Sequence, residues 1–245
     1  MKRFLAGVAF GALLASNATA ADMAVKSSPP PSLSPPPFSW TGFYFGAHVG
    51  AGSTTNQWTI VPTTAQVQIE LPLGSGTVSG FLGGAQIGAN YQIDVMVFGV
   101  EGDFSWAGLS GQTCNSVGGL IECNSNIDRF ATVTGRFGIV SFDRALFYLK
   151  AGGAWAHDSY QITALGPFAN SAVSANRMGW TAGGGIEFAL QRNWSAKLEY
   201  DFMDFGTHNY AVDLTPTSIG VSIADVTQRI QVVKFGLNYH FGWGG

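Results

Sequence analysis

The residues able to do chemistry are few, and most of the charged ones share a pattern. Glu101, Asp103, Asp128, Glu187, Glu199 and Asp201 stand against Arg136, Lys150, Arg177, Lys197 and Lys234, each on the polar parity of an alternating segment. Acids and bases in near balance can neutralise one another in a confined space, which a charge removed from water requires. A selective pore would instead carry a ring of one sign. Two further groupings resemble general acid–base pairs: His157 beside Asp158, and Asp204 with His208. Neither is backed by a nucleophile motif such as Gly-x-Ser-x-Gly or by His-Glu-x-x-His. Gly74-Ser75-Gly76 reads as a loop without the following helix that phosphate binding uses. Catalysis is therefore not expected, and neither a cofactor nor a metal set emerges. Cys114 and Cys123 read as a disulfide closing a loop in an oxidising compartment. A metal pair is the alternative, but it lacks neighbouring ligands.

The first residues indicate export. Lys2 and Arg3 precede an apolar stretch over residues 4–14, and Ala18-Thr19-Ala20 has the small-residue form of a cleavage site. The apolar stretch is shorter than the roughly 20 residues a spanning helix needs. Residues 1–20 are thus expected to be a cleaved signal peptide. Residues 21–38, with Pro29-Pro30-Pro31 and Pro35-Pro36-Pro37, read as an extended periplasmic linker.

Charged residues make up 11% of the chain, against about 25% in ordinary soluble domains. Gly is abundant at 33 residues, and aromatics reach 13%. The net charge of −3 argues against nucleic acid as a partner. No long apolar helix follows residue 20, so the composition fits a transmembrane β-barrel.

From Trp40 the chain alternates with period two. Phe81, Ala85, Ile87, Ala89, Tyr91 and Ile93 take one parity, Gln86, Asn90 and Gln92 the other. Met96, Val100, Phe104 and Trp106 likewise oppose Glu101, Asp103 and Ser105. Eight candidate strands result: 40–52, 79–93, 96–107, 127–140, 145–157, 177–190, 194–205 and 228–241. Residues 66–71 also alternate and read as a strand extension above the membrane, with a ten-stranded barrel as the alternative. Residues 93–96, 141–144 and 191–193 read as tight periplasmic turns, and 53–78, 109–126, 158–176 and 206–227 as four long extracellular loops. Aromatics fall into two belts. Trp40, Tyr91, Phe98, Phe137, Phe147, Phe188, Trp194, Tyr239 and Phe241 lie at the short-turn ends; Trp106, Trp155, Trp180 and Phe202 lie near the long connections. The fold expected is an all-β, eight-stranded antiparallel transmembrane barrel over residues 39–241, with a short tail at 242–245. A soluble exported β-protein would concentrate its aromatics mid-strand instead.

Lys234, Gly236, Tyr239 and Phe241 fill a polar-x-Gly-x-x-aromatic-x-aromatic pattern, read as the assembly signal recognised by barrel-assembly machinery. Trp40-Thr41-Gly42-Phe43-Tyr44, Phe98-Gly99-Val100-Glu101-Gly102-Asp103 and the closing segment 233–241 resemble the small porin-like outer-membrane proteins of alphaproteobacteria, within the OmpA-like barrel superfamily. The resemblance implies an eight-stranded barrel at the bacterial cell surface, without enzyme activity. It also implies antigens, adhesins or haem binders among the relatives; His208 and Tyr210 are the residues that would contact haem here. The last four residues and the cysteine pair depart from that pattern. The roles expected are thus a surface-exposed structural protein of the outer membrane with a plugged lumen, or alternatively a small-solute channel. Its partners would be the lipid bilayer, the assembly machinery and an extracellular ligand or host surface met by the loops.

Overall fold

A side-chain period of two puts alternate residues on opposite faces of a strand, so each alternating segment can separate a polar interior from an apolar exterior. The computed structural model realises this as a closed barrel of eight antiparallel strands, each paired with its sequence neighbours and β1 with β8. The strands are β1 (Gly42–Pro62), β2 (Leu71–Ile93), β3 (Met96–Asn115), β4 (Ile121–Ser141), β5 (Ala145–Ala164), β6 (Ser171–Ala189), β7 (Trp194–Asp213) and β8 (Val221–Gly242). The structure describes residues 38–62, 71–115, 121–142, 144–164, 171–191, 193–213 and 221–242. The expected signal peptide and nearly all of the Pro-rich linker lie outside the described residues, as do 243–245.

Parity is realised across the wall. Phe43, Phe45, Phe81, Ile87, Leu149, Leu198 and Phe235 are exposed on the outer face, whereas Gln86, Glu101, Arg136, Lys150 and Lys234 are buried inside. A barrel of this size is just wide enough for side chains to fill its interior. Glycine supplies room where the interior is tightest: a Cβ on Gly84 would lie 2.7 Å from Nε2 of His48.

The turn between β2 and β3 behaves as its residues require. Asp94 adopts φ 53° between β2 and β3, a left-handed conformation that Asp tolerates better than most residues. The long connections do not match the sequence expectation. Most of each segment read as a loop is strand: the ladder of β1 with β2 runs on to Ile60↔Leu71, and that of β4 with β5 to Ile121↔Ala164. Gly74-Ser75-Gly76 is accordingly part of β2. Residues 66–70 lie outside the described residues, and Leu71 begins β2, so the described strands number eight. A membrane crossing needs only about 9–11 residues; strands of 19 to 23 residues therefore continue well beyond the bilayer. Polar composition signals loop here, but backbone pairing in a hairpin proceeds without an apolar face.

Two register shifts, at Trp58/Thr59 and Gln112/Cys114, lie toward the hairpin ends, and three more cluster lower on the barrel. The three fall between Trp106 and Leu109, between Ile127 and Arg129, and between Asp204 and Thr207, where Gly206 takes φ +68°. Bulges at barrel rims bend strands and re-aim side chains. Here Asp128 is the extra residue, and it lets Ile127 turn inward although its parity on β4 points out.

Candidate functional site

The interior is the most organised part of the molecule, and it is built in layers. At the short-turn end, Trp40 closes the mouth. Its side chain is fully buried, with Phe38 edge-on at 4.8 Å and the His240 ring at 5.7 Å. Val97, Leu146, Tyr148 and Ala189 complete that apolar seal. The backbone N–H of Trp40 donates to Gln92 Oε1 at 2.9 Å, and the Gln92 N–H donates to Thr41 Oγ1 at 2.9 Å, pinning the entering chain to β2. The sequence pattern puts Trp40 in the lipid-facing belt. The correction follows from parity, since Trp40 shares the even, inward register of Tyr44 and His48.

Above this seal lies the charged layer. Lys234 Nζ stands 2.7 Å from Asp201, 2.9 Å from Asp103 and 3.1 Å from Glu199. Lys150 meets Glu199 at 2.7 Å and both Glu101 and Asp201 at 3.3 Å. Lys197 bridges Glu101 at 3.0 Å and Glu199 at 3.3 Å. Arg136 donates to Glu187 at 2.7 Å, reaches Glu101 at 3.5 Å, and lies over the Tyr148 ring at 4.1 Å. Tyr44 donates its hydroxyl to Glu101 at 2.8 Å and Tyr148 donates to Glu199 at 2.6 Å. Ser195 and Asn238 donate to Glu187 at 2.5 and 2.7 Å. These charges form one interconnected mesh. Such pairs add little net stability, because desolvation offsets attraction; removing one member, by contrast, typically costs about 3–5 kcal/mol.

Next comes an apolar septum. Val78, Leu82, Leu109, Ile127, Phe130, Ala154, Ala156, Met203, Phe205, Ile230 and Val232 are buried together inside the barrel. Beyond it, Arg177 pairs with Asp158 at 3.1 Å, and Gln228 donates to the same carboxylate at 3.3 Å. An ion crossing this septum would shed its water without replacement, at a cost of tens of kcal/mol by Born solvation. A constriction lined by apolar side chains acts as a barrier rather than a conduit.

The chain matches the outer membrane protein beta-barrel domain family over residues 8–241. It belongs to that family. This outer membrane β-barrel is 30% identical over 238 residues to the 31 kDa outer-membrane immunogenic protein of Brucella melitensis, covering 94% of this chain and 96% of the relative. It is 32% identical over 236 residues to the 25 kDa outer-membrane immunogenic protein of Brucella abortus, covering 94% of each. Its backbone is similar to the outer membrane protease OmpT of Escherichia coli, with a TM-score of 0.51 at 7% identity, covering 83% of this chain and 98% of that one. At that identity the likeness shows the fold alone. The protein resides in the outer membrane.

Within the outer membrane β-barrel, the structure brings Glu101, Asp103, Arg136, Lys150, Glu187, Lys197, Glu199, Asp201 and Lys234 into the single mesh described above. Asp128, expected among them, sits at the bulge, accepting from Asn126 at 2.6 Å and Ser159 at 3.3 Å. Arg177 pairs above the septum instead. The rim groupings do not assemble. His157 faces outward and contacts Asn176 at 2.7 Å, whereas Asp158 is buried inside, because neighbours in a strand point to opposite faces. Asp204 pairs with Arg229 at 3.1 Å on the outer face, and the bulge at Gly206 separates it from His208. The side chain of Tyr210 lies outside the described residues.

Of the closing pattern, Phe241 is exposed on the lipid face and packs edge-on to Tyr239 at 5.0 Å. Lys234 and Gly236 point inward. A Cβ on Gly236 would meet Gln86 at 3.0 Å and Lys197 at 3.1 Å, so this glycine makes space for the mesh. The charged residues alone leave out Tyr44, Tyr148, Ser195, Asn238 and His240; all share the inward register, which is the signal that finds them. The backbone register sets Cys114 opposite Cys123 on β3 and β4. The side chains of both cysteines lie outside the described residues.

Proposed function

We propose that the protein is a non-conducting structural barrel of the outer membrane that holds four extended β-hairpins at the cell surface. One observation carries this reading: eleven apolar side chains lie across the lumen directly above the ion-pair mesh. No described feature of the lumen favours the alternative of a small-solute channel. Planar-bilayer recording with the refolded full-length barrel tests the assignment, and the expected trace is flat. A stable open level in the wild-type protein would overturn it.

Three further roles belong to this reading. β8 serves as the assembly signal, with Phe241 and Tyr239 as its lipid-facing aromatics and Lys234 and Gly236 fitting the barrel interior. Phe241→Ala is expected to lower the amount of heat-modifiable barrel in the outer membrane several-fold, while the same variant refolds in detergent to a wild-type gel position. Equal membrane yield would remove the signal role. Cys114 and Cys123 form a disulfide across the β3–β4 hairpin, supported by their opposed register and the export of the family. Oxidised protein should carry no thiol titratable by a maleimide reagent after unfolding, and two after reduction. The hairpin tips contact an extracellular ligand or host surface; relatives named as immunogenic proteins support surface display. The chemistry at the rim supports binding rather than catalysis, since the candidate acid–base pairs point apart.

A further inference from the structure

Going beyond the structural role, we propose that the outer face of β3–β6 carries a binding site for the phosphate-bearing headgroup of an outer-leaflet lipid, anchored by Arg129. Five of the described Lys and Arg residues point into the lumen, where each meets a carboxylate. Of the other three, Arg229 is held by Asp204 and Arg144 lies in the periplasmic turn before β5. Arg129 is exposed on the lipid side, and no carboxylate among the described residues pairs with it.

Its position is set by register. Trp106, Arg129, His157 and Asn176 lie side by side across β3, β4, β5 and β6. The row immediately periplasmic is Phe104, Ala131, Trp155 and Met178, and Phe104 and Trp106 meet edge-on at 4.7 Å. Arg129 therefore stands at the upper edge of the aromatic belt. About ten residues of β4 separate it from Ile139 at the lower edge, roughly 26 Å along the membrane normal for a strand tilted by about 40°. That distance matches an apolar band of roughly 25 Å.

A guanidinium on the lipid face costs about 2–4 kcal/mol at the bilayer midplane and near nothing at the interface. At this height Arg129 meets headgroups instead of acyl chains. Its planar fork suits a phosphate better than an ammonium would. His157, fixed to Asn176 at 2.7 Å, continues the polar strip beside it, and exposed Trp106 flanks it with a flat apolar surface. The occupant is thus a lipid whose chains lie along the belt and whose phosphate reaches the row above. The continuous bilayer interface below argues for a lipid source over free phosphate.

The test uses the full barrel in dodecyl maltoside, a detergent without phosphate, and follows the temperature at which the compact gel form is lost. Bisphosphorylated lipid A is expected to raise that midpoint by about 5 °C. Arg129→Gln should remove at least half of the rise, whereas Arg144→Gln should leave it intact. The proposal is overturned if lipid A gives no rise, if dephosphorylated lipid A gives an equal rise, or if Arg129→Gln retains it. Inorganic phosphate producing the same rise would also overturn it, by assigning the site to the free ion.

Discussion

Lys234→Ala is expected to lower the unfolding midpoint of the barrel by about 10 °C. The ammonium touches Asp103, Glu199 and Asp201, and all four groups are buried. Without it, the central layer holds five carboxylates (Glu101, Asp103, Glu187, Glu199 and Asp201) against Arg136, Lys150 and Lys197. Leaving a buried charge uncompensated costs about 3–5 kcal/mol, and each kcal/mol moves the midpoint by about 2–4 °C in a chain of this size. The double variant Lys234→Met with Asp201→Leu removes one charge of each sign and should recover part of the loss. Gel mobility after stepwise heating measures both. A single variant with the wild-type midpoint would show that the mesh tolerates the loss of one member without an uncompensated buried charge.

The second large effect is expected at the septum. Phe130 is buried among Leu109, Ile127 and Met203, so Phe130→Ala opens a cavity across the lumen. Substitutions of this kind cost about 3–5 kcal/mol. The space lies between the ionic mesh and the Asp158–Arg177 pair, both polar, so water can enter it from either side. Brief conductance events are expected in planar bilayers where the wild type is silent. Phe130→Leu, which conserves most of the volume, should keep the trace flat. Silent recordings from Phe130→Ala would place the barrier to ions elsewhere, in the mesh or at the Trp40 seal.

Strand parity is readable because a barrel wall has a different solvent on each face. That contrast makes Glu101, Lys150 and Asp201 legible as interior residues, and Phe98, Trp155 and Phe235 as exterior ones. The same rule reaches most of the septum: Leu109 shares parity with Asp103, Phe130 with Arg136, and Ile230 with Lys234. The septum is nonetheless hard to see in sequence, because an apolar residue on the inward register carries no sign of its own. Ile127 is not legible at all, since the bulge at Asp128 exchanges its faces and a bulge leaves little trace in sequence. Trp40 misleads because an aromatic at the membrane edge and one corking the mouth share composition and position. Only the register of β1 separates them. The upper halves of the strands escape for a further reason: with water on both sides, alternation has nothing to sort.

The ladders themselves end unevenly. β2 and β3 are registered only as far as Leu82↔Ala107, and β6 and β7 only to Trp180↔Asp204. All other neighbours stay registered toward the hairpin ends, to Asn115↔Glu122, Ile162↔Ser171, Asp213↔Val221 and Pro62↔Ser222 among others. The ladder above these points is continuous from β3 to β6 and from β7 through β8 and β1 to β2, while β2 and β3 still pack closely, since a Cβ on Gly80 would overlap the Gly108 carbonyl. A lengthened or shortened hairpin disturbs ladder hydrogen bonds within its own run of strands, and only packing contacts with the other. Changes in one run of hairpins therefore reach the other through packing rather than through a shared ladder, while a common sealed base keeps both in the membrane.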